Sequence, residues 1–365
     1  MTNIDQQTRR RIIHTGLTAI DKERSSAGYT LYTPMNGSGI VYLIDEEGIE
    51  VHRWEMPYQP GLYGYLLPNG NLFYMGRVRD DTWERFPQWS HFKGGILMEV
   101  NWNGKVVWEH RDKDHHHDAR RTSSGGAIYL NIEKLPNDIV DKVRGGVTGS
   151  DENGMWSDVI VEVDSEGKRI WEWHAFEHLD FKTDTITYND PRDEWTHANT
   201  VVPLDNDRVM VSFRNISTIG IIEKKTGDFV WKIGPEILAQ QHDPSMLQNG
   251  NVLVFDNGSF HKNDARISSR VIEINPSTNQ IVWEYRDQPW FNFFSAYISG
   301  ARRLPNGNTL ITEGMFGRIF QVTADKEVVW EYISPYFVEG PGGIDNSVFR
   351  ATHYLPEDIP TLVHD

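Results

Sequence analysis

Residues Ile96 to Trp108 read ILMEVNWNGKVVW, and residues Val159 to Trp171 read VIVEVDSEGKRIW. Each stretch contains an alternating apolar run, a turn that includes glycine, and a second run that ends in tryptophan. Alternation of apolar and polar residues is the pattern of a strand that is buried on one face. Two such strands around a turn such as Asn103-Gly104 predict an antiparallel β-hairpin.

Six copies of this hairpin follow one another along the chain. They are Ile40 to Trp54, Ile96 to Trp108, Val159 to Trp171, Ile219 to Trp231, Val271 to Trp283 and Ile319 to Trp330. Their final tryptophans are 54, 63, 60, 52 and 47 residues apart, which fits four-stranded blades with insertions. A second phrase with an Asn-Gly turn, as in Leu67 to Asn71, supplies the other two strands of most blades. The sequence therefore predicts an all-β fold, a six-bladed β-propeller with four-stranded blades around a central channel, with the tryptophans in the blade core.

The repeat also predicts the division of the chain. Residues 1–28 are expected to be an N-terminal extension, and residues 29–365 a single propeller domain. Tyr29 to Tyr32 is expected to form a strand that completes the last blade. Two stretches interrupt the period, at 133–156 and 175–195, and their polar composition predicts long loops on one face, where binding loops often lie.

Composition limits the classes of partner. The chain has 365 residues and a formal net charge of −16, which argues against nucleic acid and anionic membranes as partners. It has no cysteine, which excludes disulfides and thiolate chemistry. No apolar stretch has the length of a signal peptide or reaches the ~18 residues of a membrane span, so a cytoplasmic protein is expected unless a signal has been trimmed. The runs Arg9 to Arg11 and Arg120-Arg121 are expected to be solvated surface, and the oligomeric state stays open.

One repeat position carries histidines. Five residues before the turn that joins the first two strands of a blade, successive repeats have His117, His197 and His242. In the first repeat this position falls near Leu62, and in the fifth and sixth repeats it falls on Ser299 and Arg350. His353 stands three residues after Arg350. The innermost strand of each blade runs along the channel, so equivalent positions should form a ring around the axis. The sequence leaves open which of His115, His116 and His117 faces the channel, because neighbouring strand residues point to opposite sides.

A second column follows the turn asparagines and contains Arg77, Arg214 and Asn257. The arginines of this column could bind the anionic group of a substrate. Two chemistries fit the histidines: covalent transfer with imidazole as nucleophile and acid or base, or a metal site. In the metal alternative His117, His197, His242 and His353 bind Zn, Fe, Cu or Mn, with Asp118 and Asp243 orienting the ligands. A third alternative is a non-catalytic propeller that binds a protein partner.

Several phrases resemble the arylsulfate sulfotransferase family. They are Trp195 to Val201 (WTHANTV), Gln241-His242-Asp243, Val252 to Gly258 (VLVFDNG), Ser269 to Glu273 (SRVIE) and Val282 to Tyr285 (VWEY). The resemblance implies a six-bladed propeller and a transferase that moves a sulfuryl group between phenols through a sulfohistidine. It also implies His197 and His242 as active-site histidines and an arginine after the DNG turn, for which Arg266 and Arg270 are candidates.

The combined prediction is an arylsulfotransferase-like enzyme acting on a small aromatic substrate, which can be anionic. His197, His242 and His353 are the predicted catalytic residues, His353 because Thr352-His353-Tyr354 also resembles a family motif. Arg77, Arg214, Arg270 and Asn257 are the predicted substrate-binding residues. This prediction requires no metal and no other cofactor, and the metal-dependent enzyme is its alternative.

Overall fold

All six predicted hairpins are present, and each forms the outer half of an antiparallel sheet. The computed structural model describes residues 14–262, 264–340 and 343–362. In chain order the strands are β1 (Gly16–Ile20), β2 (Tyr29–Pro34), β3 (Ile40–Ile44), β4 (Glu50–Glu55), β5 (Pro60–Leu66), β6 (Leu72–Arg77), β7 (Gly95–Val100), β8 (Val106–Arg111), β9 (His115–Arg121), β10 (Ala127–Lys134), β11 (Gly145–Val147), β12 (Trp156–Val163), β13 (Arg169–His174), β14 (Ile186–Pro191), β15 (Ala198–Leu204), β16 (Arg208–Phe213), β17 (Thr218–Glu223), β18 (Phe229–Ile233), β19 (His242–Met246), β20 (Val252–Asp256), β21 (Arg270–Asn275), β22 (Gln280–Tyr285), β23 (Gly300–Arg303), β24 (Thr309–Glu313), β25 (Arg318–Val322), β26 (Val328–Ile333), β27 (Val338–Gly340), β28 (Gly343–Asp345) and β29 (Val348–Tyr354).

These strands form six blades in a ring, which confirms the predicted propeller. The blades, from the innermost strand outward, are β29-β2-β3-β4, β5-β6-β7-β8, β9-β10-β12-β13, β15-β16-β17-β18, β19-β20-β21-β22 and β23-β24-β25-β26, the last with β1 as a fifth strand. Among the described residues the helices are three single turns, α1 (Trp89–Phe92), α2 (Asn137–Val140) and α3 (Ala175–His178), with 3₁₀ turns at Trp290–Asn292, Gly314–Phe316, Pro356–Asp358 and Pro360–Leu362. In the part of the chain that the structure describes, no helix combines the length and apolar character needed to cross a membrane.

The ring is closed by the C-terminal strand. β29 is the innermost strand of the blade built from the first repeat, and it pairs with β2 from Tyr29 opposite Tyr354. The prediction that Tyr29 to Tyr32 completes the last blade was therefore wrong, because the last blade already has four strands of its own. One blade therefore combines the late strand β29 with the early strands β2, β3 and β4, and this pairing closes the ring. β1 lies in the predicted N-terminal extension and pairs with β26, while residues 1–13 of that extension lie outside the described residues.

The repeated tryptophans connect neighbouring blades. In all six repeats the indole Nε1–H donates to the turn between the third and fourth strands of the next blade. The acceptors are Asn101 O for Trp54 (3.2 Å), Ser165 O for Trp108 (3.0 Å), Lys224 O for Trp171 (3.1 Å), Asn279 Oδ1 for Trp231 (2.9 Å), Ala324 O for Trp283 (2.9 Å) and Glu46 O for Trp330 (2.8 Å). Only Trp54 and Trp330 are fully buried, so the expected core position holds for two of them. The other four are half-buried. Trp330 and Trp54 have additional cover, since β1 pairs with the strand of Trp330 and the Trp102 ring packs edge-on against Trp54.

Burial along a blade explains the sequence pattern. All six residues of β7 are buried, because β7 lies between β6 and β8 in its sheet and the neighbouring blades cover both of its faces. β8 forms the outer edge of the same sheet and is largely exposed. The inner strands consequently have no solvent side, and their polar residues can only face the channel or be paired. A histidine at the start of an innermost strand therefore either faces the channel, as His117 does, or is paired with a neighbouring blade, as His115 is.

Candidate functional site

A cavity of about 550 Å³ lies at one end of the ring axis. All six blades contribute to it near the start of their innermost strands. The six positions are Leu62, His117, His197, His242, Ile298 and Phe349. The three column histidines therefore lie in one cavity, and the structure identifies His117 as the member of the His115-His116-His117 run that faces it.

Backbone bulges orient the three column histidines toward the cavity. His117 and His197 both have φ of 50°, and Asp243, directly after His242, has φ of 56°. The pairing register slips at the same places, between β9 and β10, β15 and β16, and β19 and β20. A bulge turns a side chain away from the regular alternation, and a left-handed backbone at a residue other than glycine costs roughly 1–3 kcal/mol. Leu62 and Ile298, which line the cavity from two further blades, also have positive φ of 110° and 54°, so five of the six blades carry this strained feature at or next to the cavity position.

His117 is held through a second histidine. Its Nδ1 lies 2.8 Å from Nδ1 of His116, whose Nε2 lies 3.2 Å from the Asn131 carbonyl oxygen and 3.0 Å from a carboxylate oxygen of Asp158. The oxygens around His116 Nε2 only accept, so this nitrogen carries a proton. When this is the only proton on the His116 ring, its Nδ1 is an acceptor and His117 donates to it. The Nε2 of His117 is left with a lone pair at the cavity.

His197 has the carboxyl group of Glu194 as its partner. Its Nδ1–H donates to Oε2 of Glu194 over 2.8 Å. Glu194 is only 3% exposed, and burial raises its pKa well above the usual range of a carboxyl group, with Asp158 adding to the effect. Burial also lowers the pKa of His197 to about 3, and the nearby Arg214 acts in the same direction. The imidazole of His197 is therefore neutral, with its Nε2 lone pair on the cavity side.

His242 is oriented by an amide. Its Nδ1 lies 2.8 Å from Oδ1 of Asn257 and 3.1 Å from the carbonyl oxygen of Gln240. The Asn257 amide nitrogen donates to the carbonyl oxygens of Ser295 and Ile298, each at 2.8 Å, which fixes Oδ1 as the atom facing the histidine. His242 therefore also carries its proton on Nδ1. Burial lowers the pKa of His242, as it does that of His117, well below the usual range.

Arg214 is the only lysine or arginine among the described residues that line this cavity. Its Nη1 contacts Asp190 (3.3 Å) and Asn215 (2.9 Å), and its Nη2 donates to Gln240 (3.0 Å). These three contacts use part of the five N–H donors of a guanidinium. The guanidinium is thus held in place while Nε and one Nη2 hydrogen stay available to a ligand.

Two chain insertions build the walls. The predicted insertions at 133–156 and 175–195 pair with each other through β11 and β14, and the second contributes Asp190, Asp193 and Glu194 to the lining. The segment before β7 carries α1, whose Phe92 ring stacks on His117 at 4.5 Å between centroids and meets His197 edge-on at 4.6 Å. The cavity is therefore aromatic and apolar on one side and polar on the other.

The other sequence-predicted residues lie outside this cavity or behind it. Asn257 orients His242, as described above. His353 on β29 contacts the Ala27 carbonyl oxygen at 3.2 Å and does not line the cavity. Arg77 donates to the His91 carbonyl oxygen at 3.0 Å, which anchors α1, and Arg270 pairs with Asp256 at 2.8 Å inside its blade. Of the four predicted substrate-binding residues, only Arg214 therefore lines the cavity.

Several lining residues carry no signal in the repeat column. The column places Ser299 and Arg350 at the channel, but Ile298 and Phe349, one residue earlier, face the cavity. Glu194 was also missed, although it stands three residues before His197 and its position next to the WTH phrase was a usable signal. Phe92 could not have been found, since its segment lies outside the repeat. Within the described residues, no group of three or more His, Cys, Asp or Glu side chains has an arrangement that could hold a metal ion.

The fold and the site define a class: a six-bladed β-propeller with three neutral histidines and one arginine in an axial cavity. The family model for arylsulfotransferase (ASST) matches residues 88–335, which is more than half of the chain. The matched segment contains the three column histidines and Arg214. The chain belongs to the arylsulfotransferase family, as the sequence resemblance predicted.

Comparison with solved structures gives propeller-like neighbours at low identity. A protein of unknown function from Bacteroides caccae is 11% identical with a TM-score of 0.55, over 89% of this chain and 98% of that chain. Virginiamycin B lyase from Staphylococcus aureus is 10% identical with a TM-score of 0.47, over 87% and 88%. The β-propeller domain of Cps50 (Swd1) from Myceliophteria thermophila is 9% identical with a TM-score of 0.46, over 90% and 88%. A comparison with curated proteins gives no match.

Proposed function

We propose that the axial cavity transfers a sulfuryl group from an aryl sulfate to a phenolic acceptor, with His197 as the nucleophile. The proposal rests on the protonation state and orientation that the three imidazoles share. Each is neutral, each has its Nδ1 side engaged by another group, and each lines the cavity. A neutral imidazole with a free Nε2 lone pair is the form that attacks an electrophile or accepts a proton.

His197 is preferred as the nucleophile because of Glu194. When Nε2 bonds to sulfur, the ring takes on positive charge, and an acceptor at Nδ1 compensates that charge. The Glu194 carboxyl group, 2.8 Å away, can release its proton and then carry a full negative charge, which the amide oxygen beside His242 cannot do. Arg214 acts electrostatically on both His197 and His242, so a sulfonate bound between these two histidines would lie near its guanidinium.

The proposed cycle has two displacements at sulfur. In the first, the Nε2–S bond forms, the S–O bond to the donor ring breaks, and a phenolate leaves with the electron pair of that bond. In the second, the acceptor phenol gives its proton to His242 Nε2 while its oxygen bonds to sulfur, and the N–S bond breaks to return neutral His197. The proton on His242 then passes through water to the released phenolate, so the cycle is balanced.

The walls suit an aromatic sulfate ester. Phe92, Phe349 and Leu62 provide an apolar surface for a ring, and Arg214 provides the cation for the sulfonate. Asp190 contacts Arg214 and limits how much free positive charge the site has. This arrangement favours a monoanion over a more highly charged group.

The proposal is tested by trapping the intermediate. The protein is mixed with 4-nitrophenyl sulfate without acceptor, quenched at alkaline pH and digested, and the peptides are examined by mass spectrometry. We expect one added SO₃ group on the peptide that carries His197, together with a burst of nitrophenolate. Absence of an adduct, with no transfer to any of a panel of phenols, would falsify the proposed chemistry.

Asn257 is expected to act as a positioning residue for His242. Replacing it by alanine removes the acceptor that fixes the Nδ1 proton, so His242 can turn its Nδ1–H toward the cavity. We expect kcat for the transfer to fall about 10² fold, at the low end of the effect of an acid or base, with KM for the donor nearly unchanged. Steady-state kinetics of Asn257→Ala and of the control Asn251→Ala, on the opposite side of the same blade, check this. A rise in KM with unchanged kcat would assign Asn257 to substrate binding instead.

A further inference from the structure

A second cavity, of about 940 Å³, lies at the opposite end of the ring axis. It is lined by later residues of the same inner strands that begin at the histidine cavity. They include Tyr63 and Tyr65 of β5, Arg120 of β9, Arg302 of β23, and Arg350 and Thr352 of β29. We call this end the arginine mouth. The channel thus presents two chemically different ends on one set of strands.

The arginine mouth carries an excess of positive charge. Four guanidiniums line it, those of Arg120, Arg208, Arg302 and Arg350, with the carboxylate of Asp205 as the only acidic side chain among the described lining residues. Behind them lie two carboxylates, Asp118 and Asp243, each completely buried. The arginine mouth therefore has four cationic and three anionic side chains, although the chain as a whole has a formal net charge of −16. Despite its burial, Arg120 and Arg350 lower the pKa of Asp118, so this carboxylate is ionised and belongs in the count.

The buried carboxylates hold the guanidiniums in fixed positions. Arg350 Nη1 lies 3.3 Å from Asp118 and 2.8 Å from the Tyr63 hydroxyl, and its Nε lies 3.0 Å from Asp243. Arg302 is bonded through Nη2 to the Asp243 carboxylate. Arg120 Nη1 lies 3.1 Å from Asp118 and also contacts the Tyr63 hydroxyl. Such a pre-arranged set loses little conformational entropy when it binds a ligand.

Donors remain after these contacts. Arg302 uses Nη1 for the carbonyl oxygens of Ala301 and Asp243 and Nη2 for one carboxylate oxygen, which engages three of its five N–H groups. The contacts of Arg120 with Asp118 and with the hydroxyls of Tyr63 and Tyr65 engage no more than three of its donors. The Tyr65 hydroxyl accepts from the Arg121 backbone at 3.0 Å, so its own hydrogen is still available. These groups surround one open volume.

We propose that the arginine mouth binds a small tetrahedral oxyanion, sulfate or phosphate, between Arg120 and Arg302. Guanidiniums recognise such oxygens through charge-assisted hydrogen bonds, and a ligand of this kind balances the excess charge of the mouth. The anion is either the free ion or the charged group of an ester, since both present the same oxygens. This site is separate from the histidine cavity and does not depend on the proposed transferase chemistry.

The Arg120-Arg121 pair, expected from sequence to be solvated surface, is mostly buried, with each side chain 13% exposed. The expectation failed because β9 is an inner strand, whose alternation sends Arg120 to the channel and Arg121 to Glu99 at 2.9 Å. The two arginines are therefore a matched pair for an experiment. One lines the proposed site, and its neighbour on the same strand does not.

The test is calorimetric titration of the full chain with sodium sulfate at constant ionic strength. We expect one binding site that persists in Arg214→Gln, which removes the cation of the histidine cavity. Binding should weaken about tenfold or more in Arg120→Gln and stay unchanged in Arg121→Gln. Parallel titrations with inorganic phosphate and with phenyl phosphate distinguish a free ion from an ester as the preferred form. Equal affinity in the wild type and Arg120→Gln, or no sulfate binding in the wild type, would overturn the proposal.

A second measurement guards against a variant that does not fold. Crystals of the unaltered protein grown with selenate should give an anomalous peak between Arg120 and Arg302. Selenate has the shape and charge of sulfate, and the peak identifies its position without any substitution. Selenate only in the histidine cavity, or none at all, would contradict the assignment.

Discussion

Replacement of His197 by asparagine is expected to reduce sulfuryl transfer from 4-nitrophenyl sulfate to phenol by about 10³ fold or more. The amide keeps the polarity and can still contact Glu194, but its nitrogen has no basic lone pair to attack sulfur. The loss should appear in kcat and in the pre-steady-state burst alike, because both require the N–S bond. Stopped-flow measurement of nitrophenolate release, followed by steady-state kinetics, checks both quantities.

Two controls make this result specific. His353→Asn changes a histidine that was predicted from sequence as catalytic but lies outside the cavity, and it should retain full activity. His197→Gly should be partly rescued by added imidazole, which a purely structural role of His197 would not produce. If His197→Asn still forms the adduct, now detected on His117 or His242, then the nucleophile has been assigned to the wrong ring.

The free energy of unfolding is expected to fall steeply as the pH is lowered below about 6.5. Four buried histidines, His115, His117, His197 and His242, have a pKa that burial lowers, to about 3 for His115 and His197. The unfolded chain has the ordinary pKa of about 6.5, so between these values it binds more protons than the folded chain, and stability is lost as the pH falls. Each histidine contributes up to about 1.4 kcal/mol per pH unit, or about 2 kcal/mol by pH 5. Against a typical total of about 5–15 kcal/mol, this predicts acid unfolding near pH 5.

His115 provides the check on this prediction. Its Nδ1 accepts the backbone N–H of Gly95 at 3.2 Å, so a second proton on the ring would place two donors against each other. It is completely buried but does not line the cavity. Urea unfolding of His115→Gln between pH 5 and 6.5 should give a slope that is shallower by one proton, about 1.4 kcal/mol per pH unit. A slope identical to that of the wild type would mean that His115 charges freely in the folded protein. Glu194 acts in the opposite direction, because burial raises its pKa and its contribution is lost as the pH rises.

The histidine column was found from sequence because the repeat itself reports position. His117, His197 and His242 share one place in successive blades, and a ring of blades turns one place into one cavity. At Ser299 and Arg350 the same alignment is one residue away from the histidine cavity, which the preceding Ile298 and Phe349 line, while Arg350 lines the opposite end of the channel. A bulge adds one residue to a strand, and a shift of one residue moves a side chain to the other face. β9, β15 and β19 slip against their neighbours at this position, whereas β23 pairs with β24 without a slip, and sequence alignment does not reveal which strands carry a bulge.

His353 illustrates a second limit. It stands three residues after the column position on β29, and its motif resembled one of the family, yet its ring meets the Ala27 carbonyl oxygen away from the cavity. Glu194 illustrates the converse, since a carboxyl group outside the repeat became the partner of His197. Both outcomes depend on where segments outside the repeat pass, and no periodicity describes those segments.

The sequence by itself determined the six-bladed ring, since alternating hairpins with a fixed Trp phrase can bury their apolar faces only by stacking blade against blade. It also determined that histidines gather at the axis, because inner strands have no other open side. The tertiary structure alone decided which atoms face the cavity, through the bulges at His117 and His197 and the Nδ1 partners of each ring. It alone gave the channel two different ends, with Arg120 and Arg302 opposite the histidines. Alternation along a strand is local, but the side that faces a channel is fixed only when the neighbouring blades are in place.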